Sequence, residues 1–247
     1  MRKKPMSSLR NTHSLSAEVR LPFAALRAFL YPASGVETEP RVVVPPTSDH
    51  YGFELFEHIT TDRAVAERFI SQRFAESFGS RVEAFMPRLF TLRNQDGDIC
   101  GALGLRSATN RLFLEQYLDL SIEQSVAAHA GHAVNRQSIV EVGHFSGTFP
   151  GAVRAMIQLL TARLHGEGFQ WVTFTGTASL RNAFSRLGLS PLTLQAADIN
   201  RLPPEERAAW GSYYDHEPMV LVGNITEGYS ALGRSDGPDA QSLRMSA

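Results

Sequence analysis

Cysteine is almost absent from this sequence: Cys100 stands alone among 247 residues, so no internal disulfide framework can hold the fold. An excess of either charge is also missing. Lys and Arg total 24 against 25 Asp and Glu, a formal net charge of -1, which excludes a global basic field for nucleic acid. Long apolar runs are lacking too, none approaching the roughly 18–20 residues of a membrane-spanning helix. The charged start Met1-Arg-Lys-Lys-Pro5 leads into the polar stretch Ser7 to Glu18 rather than into a secretory apolar core. These absences lead to the expectation of a soluble, cytoplasmic protein. What is present is an ordinary globular composition, 43% hydrophobic and 20% charged, on a chain long enough for one ample core.

Residues 1–50 differ from the rest. They read as a poorly ordered basic, Pro-rich arm with one short helix, where Phe23, Leu26 and Leu30 fall at helical spacing. Weak contact with a membrane surface is the sharper alternative for that helix. Residues 51–228 read as one domain, and 229–247 as a disordered Ser/Gly/Asp-rich tail. Within the domain, Ala66, Ile70, Phe74 and Phe78 form one helical stripe, started by Thr61-Asp62 and stopped by Gly79. Arg88 to Arg93 and Asp98 to Ala108 form a hairpin about Asn94-Gln-Asp-Gly97. Arg111 to Ala130 reads as a broken helix that Asp119 or Ser121 can restart. Ser138 to Phe145, the helix bearing Ala152 to Leu164, Phe169 to Thr175 and the short helix before Gly188 make a strand–helix–strand–helix unit. Its two strands should be parallel neighbours joined by a right-handed crossover. With a last strand near Val220 to Ile225, the fold class is α/β, a mixed central sheet with flanking helices.

The strand Ser138 to Phe145 and the turn Ser146-Gly-Thr-Phe-Pro-Gly151 carry the chemical interest. Backbone N–H groups of Gly143, His144, Phe145 and Ser146, with Gly147 and Gly151 for close approach, would suit an anion at the next helix's N-terminus; plain turn geometry explains the glycines equally well. Glu141 lies inside the strand, with Ile139, Gly143 and Phe145 expected on its face and His144 on the opposite one. A Glu141–His144 pair would therefore need a bulge. Burial among apolar neighbours should raise the Glu141 pKa, which suits a general base; the competing reading makes it a structural partner of a buried Arg106. Arg106 in turn either binds an anion or pairs with Glu141. Glu115 and Asp119, at i,i+4 spacing, read either as an acceptor-amine site or as a solvated face. Cys100 reads as core. His129 and His132 have ligand-like spacing but no further ligands nearby, so no metal is expected. Trp210-Gly-Ser-Tyr-Tyr-Asp215 is a packing corner or a binding platform.

Five runs, in order and with fitting gaps, resemble the thermostable hemolysin family. They are Leu112-Phe-Leu-Glu-Gln-Tyr-Leu-Asp119, Ile139-Val-Glu-Val-Gly-His144, Trp171-Val-Thr-Phe-Thr-Gly-Thr177, Leu180-Arg-Asn-Ala-Phe-Ser-Arg-Leu-Gly-Leu189 and Trp210 to Asp215. The family's name implies red-cell lysis. Its fold is similar to that of the GNAT acyltransferases and the acyl-homoserine-lactone synthases, so a GNAT-like (acyl-CoA N-acyltransferase-like) single domain is implied. The run from Gly101 to Arg106 and the Glu141 strand are similar to the synthases' glycine, arginine and glutamate order, which implies catalytic roles for Arg106 and Glu141. Gly143-His-Phe145 stands where those synthases carry Ser-Arg-Phe, Phe184 stands where GNAT enzymes place a tyrosine acid, and the GNAT pyrophosphate loop is missing. Trp171 and Thr175 are expected beside the substrate.

The resemblance implies acyl transfer from acyl-CoA or acyl-phosphopantetheine on an acyl carrier protein to a small amine, with no tightly bound cofactor. The thioester arm should slot between the two parallel strands where they splay. A membrane-active protein and a non-catalytic GNAT-like binding module are the alternatives.

Overall fold

The computed structural model describes residues 52–58 and 62–235. The expected arm over 1–50, with its helix and its membrane alternative, lies outside them, as does Thr61. Seven strands form one sheet: β1 (Phe53–His58), β2 (Arg88–Asn94), β3 (Ile99–Ser107), β4 (Ile139–Gly147), β5 (Trp171–Gly176), β6 (Leu192–Ala196) and β7 (Met219–Asn224). Their order is β1-β2-β3-β4-β5-β7-β6. The expected hairpin is the antiparallel β2–β3 pair, and β4–β5 is parallel. Every other neighbouring pair is antiparallel.

Helices α1 (Arg63–Phe78), α2 (Ile122–Ala130), α3 (Pro150–Gly166), α4 (Ala178–Arg186), the four-residue α5 (Pro204–Arg207) and α6 (Ile225–Ser235) flank the sheet. α1 ends where Gly79 takes a left-handed φ of 63°. Its N-terminus departs from expectation: Asp62 occupies the cap position but caps nothing. Instead its Oδ2 accepts from His58 Nδ1 at 2.9 Å, and His58 Nε2 accepts from the buried Thr91 hydroxyl at 2.7 Å. The broken helix resolves into a 3-10 turn over Leu114–Tyr117 and then α2. Ser121, not Asp119, restarts it, with Gln124 Oε1 accepting from the Ser121 N–H. α6 runs through the expected tail boundary at 229, because Ile225 and Leu232 bury an apolar side of it.

Apolar side chains alternate across the sheet as pleating requires. Phe90, Leu103, Leu105, Val140, Val142 and Phe174 pack on α3. On the other face, Ile139, Trp171, Val220 and Val222 pack under the 3-10 turn and α2, and Leu89 and Ala102 pack under α1. Removing one such side chain, as in Leu105→Ala, costs about 2–5 kcal/mol.

One irregularity shapes everything that follows. Ala102 pairs with Ser146 and Gly104 with Gly143, so Leu103 alone opposes both His144 and Phe145. β4 therefore bulges, and His144 adopts φ 55°. The extra residue reverses the alternation. His144 joins Glu141 on the α1 face, against Phe74 and Phe85, while Phe145 packs into the α3-side core. The regular-strand expectation, Phe145 with Glu141 and His144 opposite, is thereby corrected. Gly104 and Gly143 make room for Met86, which a Cβ on Gly143 would meet at 2.4 Å.

Candidate functional site

β4 and β5 pair only as far as Val142 and Phe174, yet β4 continues to Gly147 and β5 to Gly176. Beyond the bulge the strands part. A cavity of about 1080 Å³ occupies the gap. Its walls come from both faces of the sheet. Phe145, Ile157, Leu160, Phe174 and Phe184 line the α3 side; Phe78, Tyr117, Glu141, His144, Trp210 and Tyr213 line the α1 side.

Glu141 is 3% exposed. Its Oε2 accepts from Phe113 N–H and its Oε1 from Leu114 N–H, both at 3.0 Å, at the start of the 3-10 turn. Burial raises its pKa, while the charge of Arg106 and the two N–H groups pull the other way without cancelling that rise. Arg106, 1% exposed, stands opposite Glu141 in the β3–β4 register, behind the cavity wall. The carboxylate thus serves the fold as well as the cavity: it ties the Phe113–Tyr117 segment to β4 beside a buried guanidinium.

His144 shares the cavity with Glu141, but its hydrogen bond runs elsewhere: Met86 N–H donates to Nε2 at 3.2 Å. A ring nitrogen that accepts an N–H is unprotonated. Removal from water, with the charges of Arg106 and Arg63, pushes the His144 pKa down to about 3. Bulge or not, no Glu141–His144 hydrogen bond forms among the described contacts.

The remaining candidates divide cleanly. Gly143, Phe145, Ser146, Gly147 and Thr175 line the cavity with Glu141 and His144. Gly151 does not; it sits in the first turn of α3, because β4 extends to Gly147 and shortens the expected turn. Glu115 is taken up by structure. It accepts from Leu112 and Ile122 N–H groups and from both terminal nitrogens of Arg136. Asp119 is exposed, paired with Arg201, and separated from the helical spacing by the extended Leu118. Trp171 is buried at the paired end of β5, away from the gap. Glu115, Asp119 and Trp171 are accordingly not in the cavity wall, a correction to the expected acceptor site. Cys100 is core, as read, with burial raising its thiol pKa. His129 and His132 each donate Nδ1–H to a backbone carbonyl, of Ser125 and Ala133.

Residues that the spacing did not reveal also reach the wall. Tyr117 does so, and it shares a 2.5 Å hydroxyl hydrogen bond with Tyr214, which is not part of the wall. Trp210 lies 5.6 Å from the Phe113 ring and 5.4 Å from Tyr213, so the aromatic corner is at once packing and cavity wall. Glu206, buried, borders the same side, and Arg73, Arg154 and Arg186 border the cavity elsewhere. No helix among the described residues is long and apolar enough to cross a membrane.

Solved structures share this architecture. TofI, solved in a ternary complex with an inhibitor and MTA, superposes with a TM-score of 0.50 at 17% identity, over 72% of this chain and 96% of that one. MesI, a CoA-dependent acyl-homoserine lactone synthase, gives 0.44 at 16% identity over 70% and 88%. A GCN5-related N-acetyltransferase from Kribbella flavida gives 0.44 at 11% identity over 70% and 98%. At such identities the likeness to TofI concerns the fold alone, a single mixed α/β domain. No curated protein matches the sequence. The family model described as thermostable hemolysin matches residues 56–229, from within β1 into α6, and the chain belongs to that family.

Proposed function

We propose that the protein is an acyltransferase that moves an acyl group from a thioester to the amine of a small metabolite. The donor is acyl-CoA or the acyl-phosphopantetheine of an acyl carrier protein. The observation that carries this reading is the parting of β4 from β5 beyond Val142 and Phe174 over a cavity walled from both faces of the sheet. Among the described residues no strand pairs with the β5-facing edge of β4 past that point, so an extended amide-bearing arm has backbone groups to bond. The apolar α3-side wall suits an acyl chain. Arg154, at the start of the second turn of α3 and near the helix N-terminus, suits the donor's phosphate.

In this arrangement the amine nitrogen attacks the thioester carbonyl and a C–N bond forms. The C–S bond then breaks, and the departing sulfur leaves as a thiol once protonated. Glu141 takes the proton that the amine loses, directly or through water. Each of its oxygens accepts one backbone N–H and keeps a further lone pair, and the raised pKa brings the carboxylate nearer the range a base needs. Backbone N–H groups near Gly143 to Phe145 would steady the oxyanion, each good donor contributing about 3–4 kcal/mol. Arg106 holds the charge balance behind Glu141 rather than touching substrate.

The test is a thermal-shift series with acyl-CoAs of increasing chain length, an acylated carrier protein and S-adenosylmethionine, followed by thiol release with the donor that binds. A rise in Tm with one thioester class, and amine-dependent thiol release, is the expected result. No shift with any thioester at millimolar concentration would end the acyltransferase reading.

A further inference from the structure

Glu206 is the least explained charged group in the described residues. It follows Glu205 in the short helix α5 and is 4% exposed. Its Oε1 is buried without a hydrogen-bond partner. No basic side chain among the described residues forms an ion pair with it. The neighbouring Arg207 turns away, to the carbonyls of Leu202 and Asn200. The charges that do act on it, those of Glu205 and Glu83, have its own sign. A buried carboxyl without a counter-charge is expensive to keep.

Its position supplies a reason for keeping it. Glu206 borders the α1-side half of the cavity, together with Glu83, Trp210 and Tyr213. The loop that carries it is pinned to the end of α1 and the segment that follows: Ser212 N–H donates to Phe78 O at 2.8 Å, and Arg81 N–H to Ala209 O at 2.7 Å. Between these bonds Gly211 has φ 52°, and a Cβ there would lie 2.1 Å from Phe78 O. A carboxyl that no basic side chain among the described residues pairs with, set beside aromatic faces, is the complement of an ammonium group.

We infer that Glu206, which borders the cavity beside Trp210 and Tyr213 with one carboxyl oxygen unpartnered, binds the cationic group of the amine acceptor. The inference rests on the acyl-transfer reading for the name "acceptor" and deepens it: the acceptor enters as an ammonium-bearing metabolite on the α1 side, opposite the apolar wall assigned to the acyl chain. Glu83 adds negative charge to the same half of the cavity, although Arg81 already pairs with it at 2.6 Å. Glu206 is therefore the specificity-determining carboxylate, while proton removal stays with Glu141.

The experiment needs no donor, so its failure is separable from failure of the acyltransferase reading. Benzylamine, protonated at pH 7.5, and its neutral isostere benzyl alcohol are titrated into the full chain by calorimetry or NMR. Benzylamine should bind at least about tenfold more tightly than the alcohol, the worth of one charge-assisted hydrogen bond. Glu206→Gln should erase that preference and leave alcohol binding and the acyl-donor thermal shift unchanged. Equal affinities in the wild type, or a preference that survives Glu206→Gln, would overturn the inference. Should that variant fail to fold, Glu206→Ala is read in the same way, and Glu83→Gln, which should keep the preference, serves as the control. Amine selectivity with no thioester binding would keep the cation site and remove the acyltransferase; the reverse result would do the opposite.

Discussion

Replacing Glu141 by glutamine changes one charge and one hydrogen-bonding atom, yet the structure does not allow it to be silent for the fold. The carboxylate accepts from two backbone donors, one per oxygen, Phe113 N–H on Oε2 and Leu114 N–H on Oε1. A glutamine amide offers one oxygen; its NH2 group would face the other N–H, and one buried donor would be left without an acceptor. That costs about 1–3 kcal/mol. Arg106, 1% exposed, would also lose the neighbouring charge that now balances it, while the burial cost of the Glu141 charge would be relieved. Taking about 2–4 °C per kcal/mol for a domain of this size, Tm should fall by roughly 2–12 °C. The pH dependence has a definite sign. The folded-state pKa of Glu141 is raised above 4.5, so its contribution to stability is full below about 4.5 and is lost as pH rises through the folded value. The Tm gap between wild type and variant should accordingly be widest in acid and narrow as pH rises. Circular-dichroism melts from pH 4 to 8 measure this. A Tm unchanged at every pH would refute the structural role derived for the carboxylate. Turnover at 25 °C, measured on the folded variant, tests the chemistry separately: a drop of roughly 10²–10⁴-fold is expected, and wild-type turnover would remove Glu141 as the base.

Four further outcomes follow from the same structure. Burial and the charges of Glu205 and Glu83 push the Glu206 pKa up to about 7, so wild-type stability should decline between about pH 4.5 and 7, by at most about 3 kcal/mol. Glu206→Gln should flatten that slope and raise Tm at pH 8; parallel profiles would contradict it. His144, with its pKa at about 3, should show an unprotonated Nε2 and no titration between pH 5 and 8 by imidazole NMR, and a midpoint near 6.5 would exclude the Met86 hydrogen bond. Gly211→Ala should lower stability by at least about 2 kcal/mol, because Phe78 O occupies the place of the new Cβ; a melt within 1 °C of wild type would show that the loop yields. Glu115→Gln should cost about 1–3 kcal/mol through the loss of the two-pronged Arg136 contact while leaving amine affinity unaltered, and a change confined to affinity would restore Glu115 to the substrate site.

Local pattern carried much of the architecture. The turn residues Asn94 to Gly97 announce the β2–β3 hairpin, and Gly79 and Gly188 take the positive φ that helix ends require. β-Branched and aromatic runs on either side of an apolar-striped helix identify the parallel β4–β5 unit. β1 and β6, at the two edges of the sheet, were not read as strands. The short β6, exposed at Leu192 and Thr193, lacks the apolar alternation that reports a buried face. Seven of the twelve expected site residues line the cavity: Glu141, and Gly143, His144, Phe145, Ser146, Gly147 and Thr175, which follow the point at which β4 and β5 separate. Glu115 and Asp119 misled because i,i+4 spacing implies a shared face only inside a continuous helix, and here a 3-10 turn ends at Leu118.

The hairpin, the β4–helix–β5 crossover and the burial of Glu141 were determined by the sequence alone, since each depends on residues near one another along the chain. The tertiary structure alone decided which way the side chains after Gly143 point, what the Glu141 oxygens bond, and that Glu206 is enclosed. The bulge at His144 arises from pairing with β3, and one inserted residue reverses the alternation on which any face assignment relies. The donors to Glu141 stand 27 and 28 residues away. Glu206 is walled in by a loop that meets α1 more than a hundred residues upstream, as in the bond from Ser212 N–H to Phe78 O, and no periodicity within α5 encodes that meeting.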